Sequence, residues 1–324
     1  MSELRWDPIN REWVITATHR QNRTFKPPKD FCPLCPTKEG GFPTEVPGEY
    51  DLVVFENKFP SLRVNPGLPG IDGTELYPVD KAEGICEVVL FTSEHGGTMS
   101  KEPVSRYQKL IKVWRDRYQE LGSKDFIDYV FIFENKGEEV GVTLEHPHGQ
   151  IYAYPFIPPK IKKELDSSKD HYDEKGECLF CKVINEERED ARRIVASNDS
   201  FTAIVPFFAR YTYEVHIYAN SHLASFNDFS EKDEKDLAEI MKILQMKYDN
   251  LFGFTFPYIM SIHQQPTDGS GREYSHFHIE FYPPYRTENK LKYLAGSEAG
   301  AGAYINNSLA EDKAEELRNV EIDF

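Results

Sequence analysis

Two imidazoles two residues apart, with a carboxamide two residues further on, are the groups in this chain best spaced to do chemistry. They are His146, His148 and Gln150, in the run Glu145-His146-Pro147-His148-Gly149-Gln150-Ile151-Tyr152. Alternate residues of an extended segment share a face, so on a strand the three would point at one spot. Buried polar groups need partners, so such a row faces its own members, a metal or a ligand. A solvated strand edge is the plain alternative.

Metal chemistry has its own residues. Four of the five cysteines form two Cys-x-x-Cys pairs, Cys32/Cys35 and Cys178/Cys181. In a reducing compartment such pairs suggest metal rather than disulfide. Cys32, Cys35, His95 and His146 make a Cys2His2 set suited to tetrahedral zinc, closed by four protein ligands and therefore structural. It would also clamp the segment that carries His148. Cys178, Cys181, His222 and His276 make a second such set in the second half. Unconnected buried thiols are the alternative for each pair. His263, His278 and Glu280, with Glu164, could form a third site of mixed nitrogen and oxygen ligands holding zinc or iron; a hydrogen-bonded core network competes with that reading. Cys86 reads as a small buried hydrophobe.

The elements that must position these groups occur twice in the same order. A Cys-x-x-Cys loop is followed by a strand, a strand ending near a histidine, an amphipathic helix, a strand and a His-x-His strand. In the first half these are Cys32–Cys35, Asp51 to Phe55, Cys86 to His95, Val104 to Leu121, Asp128 to Glu134 and Glu145 to Pro155. In the second they are Cys178–Cys181, Ser200 to Pro206, Tyr213 to His222, Lys232 to Leu251, Phe256 to His263 and Ser275 to Pro284. Val104, Tyr107, Leu110, Ile111, Trp114, Tyr118 and Leu121 recur at helical spacing. The order predicts an α+β fold made of two tandem repeats, antiparallel sheets with packed helices. The expected boundaries are 1–158, a linker at 159–176, and 177–324. Leu4 to Thr16 alternates and reads as strand.

Composition narrows the function. Lys+Arg is 38 and Asp+Glu is 54, a net charge of −16. That is a poor balance for general nucleic-acid binding, although a small phosphorylated ligand needs only a few local donors. One local basic cluster, His19, Arg20, Arg23 and Lys26, stands out, with a solvated loop as its alternative. No run of about 18 apolar residues predicts a membrane span, and Met1 to Arg11 carries no apolar signal region. A cytoplasmic location is expected.

Asn135-Lys136-Gly137, Gly141 and His146-Pro147-His148-Gly149-Gln150, together with the duplicated half, resemble the galactose-1-phosphate uridylyltransferase family of the histidine triad superfamily. The resemblance runs from Arg5 to about Arg318. It implies two histidine-triad-like domains and transfer of UMP from UDP-glucose to galactose 1-phosphate, giving UDP-galactose. His148 would be the nucleophile that carries the uridylyl group. Gln150 would donate to a phosphate oxygen, where charge develops. By the same resemblance Arg20 and Arg23 approach the phosphates. Phe133, Asn135, Gly141 and Thr143 line the nucleotide, and Asn57 lies near the uridine. Lys292 and Glu298 reach the sugar from the neighbouring subunit of a homodimer.

The chain also departs from the family pattern. Lys58 stands where an aspartate is usual beside the ribose, and Glu280 where a metal-binding histidine is usual. Ser297 replaces a tyrosine near the sugar, Thr143 a serine, and Gly300 to Gly302 lie where a polar helix begins. None of these touches His148 or Gln150. The competing functions are a nucleoside-diphosphate-sugar phosphorylase acting on ADP-glucose through the same histidine, a hydrolase resolved by water, and a zinc-stabilised nucleotide-binding protein. A carboxylate at Glu280 would repel a phosphate, so the chemistry is expected in the first half alone.

Overall fold

The alternation around His148 is that of a strand with two different faces. In the computed structural model, which describes residues 2–22, 28, 31–46 and 48–324, β7 runs His148–Tyr154. Ile151 and Ala153 point into the main core, while Tyr152 belongs to a separate cluster with Leu4, Leu62 and Cys86. Gly149 has no room for a side chain: a Cβ there would lie 2.8 Å from the Phe91 ring and 3.0 Å from the Phe133 carbonyl. Its smallness lets β7 pack closely enough to fix the residues on either side of it.

Around β7 the first repeat places β3 (Val53–Glu56), β5 (Ile85–Leu90), α1 (Val104–Gly122) and β6 (Tyr129–Lys136). The second repeat supplies β9 (Phe201–Ile204), β10 (Val215–Ala219), α4 (Glu231–Leu251), β11 (Tyr258–His263) and β12 (His278–Tyr282). With β8 (Ile194–Ser197) they form one nine-stranded antiparallel sheet in the order β3-β5-β7-β6-β11-β12-β10-β9-β8. The two expected sheets are thus fused into one. β6 pairs with β11 at the centre, and the order on one side mirrors that on the other. Pairing these two strands removes an edge from each repeat.

Both helices cover the same face. Tyr107, Leu110, Ile111, Trp114, Tyr118 and Leu121 of α1 are buried and meet α4, whose Leu237, Ile240, Met241, Leu244 and Tyr248 are buried at spacings of three and four. Fully burying one such side chain contributes about 1.5–3 kcal/mol, so this face supplies much of the stability. Ser230 begins α4 by a reciprocal cap with Asp233, satisfying donors the first turn leaves open.

Two further expectations change. Leu4 to Thr16 is a hairpin, β1 (Ser2–Asp7) and β2 (Glu12–Ala17), which β4 (Val79–Lys81) extends. Asp7 accepts from the backbone of Ile9 and Asn10 and turns the chain, and Trp6 packs edge-on against Trp13. The linker is helix α2 (Pro159–Lys175), closed by Gly176 at φ 72°. Its proline sits at the first helical position, where the missing N–H costs nothing. Its charges pair one turn apart, Lys162 with Asp166 and Lys169 with Asp173. Buried Ile161 and the Ser168 hydroxyl, which donates to the Tyr274 carbonyl at 2.6 Å, tie α2 to the second repeat. After it come α3 (Leu179–Asp190), the hairpin β13 (Tyr285–Thr287) and β14 (Lys290–Leu291), and α5 (Ala310–Arg318). Among the described residues no helix is long and apolar enough to cross a membrane.

Candidate active site and metal-ligand clusters

β7 begins at His148 because the chain leaves a turn-rich segment there. A 3-10 turn at Glu138–Val140 lies between Gly137 at φ 99° and Gly141 at φ 87°. That segment folds back over the strand end. Asn135, Gly141, Val142, Thr143, Leu144, His148 and Gln150 enclose a cavity of about 80 Å³. Five of the predicted site residues are therefore in one place.

His148 Nδ1 lies 2.7 Å from the His146 carbonyl. A carbonyl only accepts, so Nδ1 carries the proton and Nε2 keeps its lone pair. That is the tautomer a nucleophile needs. Gln150 Oε1 lies 3.4 Å from the Tyr152 hydroxyl, which lies 3.4 Å from Arg20 Nη1. Arg20 thereby joins the site through a residue that the sequence reading missed. The signal was present: Tyr152 continues the two-residue period of His146, His148 and Gln150. Phe133 stands opposite Gln150 in the β6–β7 register, and its ring lies edge-on to Tyr152.

Thr143 and Leu144 also border a second, larger cavity of about 350 Å³, walled by Phe31, Leu34, Phe55, Phe59 and Val88. Its charged groups are Lys58 and Glu45, paired at 2.6 Å. An apolar, aromatic hollow adjoining a nucleophile suits a flat ring. Asn57 is placed differently: its side-chain oxygen accepts from the Phe59 N–H at 2.9 Å and shapes the turn. Arg23 lies outside the described residues. Lys292 and Glu298 are bound to each other, Nζ to Oε1 at 3.1 Å, and Lys292 also donates to the Ile305 carbonyl. Within one chain they border neither cavity.

The ligand atoms of Cys32, Cys35, His95 and His146 lie within 4.8 Å of one another, as do those of Cys178, Cys181, His222 and His276. A tetrahedron with zinc bonds of about 2.3 Å to sulfur and about 2.0 Å to nitrogen has S···N edges of roughly 3.5 Å. The thiols lie 3.6 and 4.0 Å from His146 Nδ1, and 3.5 and 4.0 Å from His276 Nδ1. Both histidines turn the other nitrogen to a backbone carbonyl, His146 to Thr92 and His276 to Ala219. The tautomer left facing the thiols is the ligating one. Burial and the adjacent Cys32 push the Cys35 thiol up to about 11. A cation beside it is what makes the thiolate affordable. These donor sets fit a metal.

Glu164, His263, His278 and Glu280 also converge, with ligand atoms within 4.8 Å. His263 Nδ1 lies 2.8 Å from Glu164 and its Nε2 lies 3.2 Å from Glu280. Burial pushes His278 down to about 3. Burial opposes ionisation of Glu280, but His263, His216 and Lys160 together hold its carboxyl well below the usual range. Lys160 and His216 were not foreseen. Lys160 contacts Glu280 directly and lies 3.7 Å from Glu164, a spacing visible only once α2 is known to be a helix. His216 lies 3.5 Å from Glu280 and 2.9 Å from Glu214.

Residues 1–158 match the family described as galactose-1-phosphate uridyl transferase, N-terminal domain, and residues 164–323 match its C-terminal domain. The galactose-1-phosphate uridylyltransferase of Thermotoga maritima is 43% identical over 326 residues, covering 100% of both chains. A solved structure of a uridylyltransferase superposes with a TM-score of 0.87 at 32% identity, covering 98% of each chain. An Arabidopsis thaliana ADP-glucose phosphorylase with bound ADP-glucose superposes with a TM-score of 0.74 at 26% identity, covering 99% of this chain and 100% of that one.

Proposed function

Because the chain belongs to the galactose-1-phosphate uridyl transferase family, we propose that it moves UMP from UDP-glucose to galactose 1-phosphate through a covalent bond to His148. The observation that carries this reading is the His148 tautomer: Nδ1 is tied to the His146 carbonyl at 2.7 Å, so the nucleophilic lone pair is on Nε2. Nε2 attacks the α-phosphorus, the bond to the bridging oxygen breaks, and glucose 1-phosphate leaves with that electron pair. A phosphate oxygen of galactose 1-phosphate then attacks the same phosphorus, releasing His148 and forming UDP-galactose. Splitting one displacement between two anions into two steps is the gain. Gln150, on the same cavity, donates to the phosphoryl oxygens, and Arg20 adds positive charge behind it. The larger apolar cavity would take the base.

Zinc is the metal we assign to the two Cys2His2 clusters, from thiolate and imidazole donors in closed sets of four. Its chemistry there is structural. The first cluster holds His146, whose carbonyl orients His148, so metal and nucleophile are linked through one residue. For the third cluster two imidazoles and two carboxylates suit zinc or iron. We further propose a homodimer, with Lys292 and Glu298 serving the partner's sugar site, and sedimentation measures that.

The similarity to an ADP-glucose phosphorylase favours a second reading in which inorganic phosphate discharges an adenylylated His148. One experiment separates them. The protein is incubated with UDP-glucose or ADP-glucose labelled at the α-phosphate, and acid-labile protein-bound label is measured. Galactose 1-phosphate, phosphate or water is then offered. Discharge by galactose 1-phosphate from uridylylated protein supports the transferase, while discharge by phosphate alone replaces it. Absence of label with turnover intact removes the covalent step, and binding without label or turnover leaves only a nucleotide-binding protein.

A further inference from the structure

Tyr152 plays no part in the reaction just described, yet the fold holds it firmly beside the site. Its ring centroid is 5.1 Å from that of Phe133 and 6.0 Å from that of Tyr154, and it packs with Leu4, Leu62 and Cys86. Its hydroxyl stands between Arg20 Nη1 and Gln150 Oε1, 3.4 Å from each.

The chemistry of the three groups gives this chain a direction. A guanidinium has donors and no acceptor, so Arg20 points a proton at the Tyr152 oxygen. The single hydroxyl hydrogen is then left for Gln150, which can accept it only through Oε1. The carboxamide is held with its oxygen toward Tyr152, and its NH2 is the end left for the cavity shared with His148. An amide free to turn over would offer its oxygen to a phosphate, where it repels instead of stabilising.

The second repeat contains the same device. Tyr282 follows Glu280 by two residues, as Tyr152 follows Gln150. The Lys160 ammonium donates to the Tyr282 hydroxyl, which donates to Glu280. There the cation comes from α2; in the first repeat it comes from the 3-10 turn Thr18–Asn22. Unrelated segments thus bring a donor-only cation to the same tyrosine position.

We propose that Tyr152, backed by Arg20, is a positioning residue that decides which end of the Gln150 carboxamide meets the transferred phosphoryl group. This rests on the reading of His148 as nucleophile. Tyr152→Phe keeps the ring and removes only the hydroxyl. With α-labelled UDP-glucose at saturation, the single-turnover labelling rate should fall about tenfold, the size of one hydrogen bond of about 1.4 kcal/mol, with little change in the concentration giving half-maximal rate. In a Gln150→Ala background the same substitution should cost less than about twofold, because the group it positions is gone. A merely structural tyrosine would slow both backgrounds equally. That outcome, or an unchanged rate in the single variant, overturns the inference while labelled wild-type protein leaves the His148 reading standing. Wild-type protein that takes no label overturns both.

Discussion

Replacing Gln150 by glutamate tests what the first repeat has that the second lacks. The substitution keeps side-chain length and strand position but exchanges a donor for a carboxylate, as Glu280 does in the other half. Losing one donor to a developing negative charge costs about 10²–10³-fold in rate, which Gln150→Ala should show. Gln150→Glu adds repulsion. His148 and Gln150 border one cavity of about 80 Å³, so a phosphoryl group on His148 cannot sit far from the new carboxylate. Two unit charges about 4 Å apart at an effective dielectric of about 20 interact by roughly 4 kcal/mol. Arg20, reaching the site through Tyr152, offsets part of that. We therefore expect Gln150→Glu to label about 10²-fold more slowly than Gln150→Ala at about pH 8, equivalent to roughly 2.7 kcal/mol. A neighbouring phosphate raises a carboxyl pKa, and the protonated acid donates again. The deficit relative to Gln150→Ala should thus shrink as pH falls toward about 5.5. The assay is single-turnover transfer of α-phosphate label from UDP-glucose. Equal rates for the two variants at the higher pH, or a gap that ignores pH, would refute the placement of Gln150 against the phosphate.

Other perturbations reach the scaffold. Cys35→Ser should lower bound zinc by about one equivalent and slow labelling as well as reducing thermal stability, because His146 both closes the cluster and orients His148; metal analysis showing unchanged zinc would refute the assignment. Burial raises Glu134 to about 7 despite Lys136 and the Tyr258 hydroxyl. Its folded pKa therefore lies above its unfolded one, and stability is lost as pH rises from about 4.5 to about 7. Glu134→Gln should remove that loss, a gain of up to about 3 kcal/mol above pH 7, and denaturant melts across the range check it. Lys160→Met leaves Glu164 and Glu280 without their ammonium. Because the Lys160 side chain is 39% exposed, we discount the buried-pair cost to about 2 kcal/mol, measured by melting in chelator and recovered on adding zinc or iron; a melt indifferent to metal would count against the third cluster as a cation site.

How far the sequence could be read depended on whether a property was local. The strand face from His148 through Gln150, the α1 stripe from Tyr107 to Leu121 and the order of the elements in the two halves appeared where expected, whereas His146 lies before β7 and turns to Cys32 and Cys35. Fusion of the repeats through β6 and β11 depends on which strand edges find each other, and no local pattern encodes that. α2 was missed because Pro159 and the charged run after it look like a linker. Proline at a first helical position and charges pairing one turn apart are equally consistent with a helix. The arginine–tyrosine–glutamine chain joins residues from distant segments: Arg20 and Gln150 each stood out in the sequence, but nothing local linked them through Tyr152.

The register explains why duplication left one open site and one closed one. Phe133 faces Gln150, and counting outward puts Asn135 opposite His148. In the second repeat Ser261 faces Glu280 and His263 faces His278. On the other flank Val88 faces Gln150, while His216 faces Glu280. At matching positions the first repeat offers a carboxamide between apolar neighbours, and the second a carboxylate between a hydroxyl and an imidazole. The first arrangement leaves donors for an incoming anion. The second carries negative charge that must itself be answered, and the chain answers it internally: Lys160 and Glu164 come down on α2 over His263 and Glu280. A helix over that face leaves no approach for a sugar nucleotide. Restoring a carboxamide by Glu280→Gln would therefore not create a second active half, because α2 would still cover His278. Labelling of Glu280→Gln protein should stay at one equivalent per chain, and a second equivalent would show that charge alone, rather than the covering helix, had silenced the repeat.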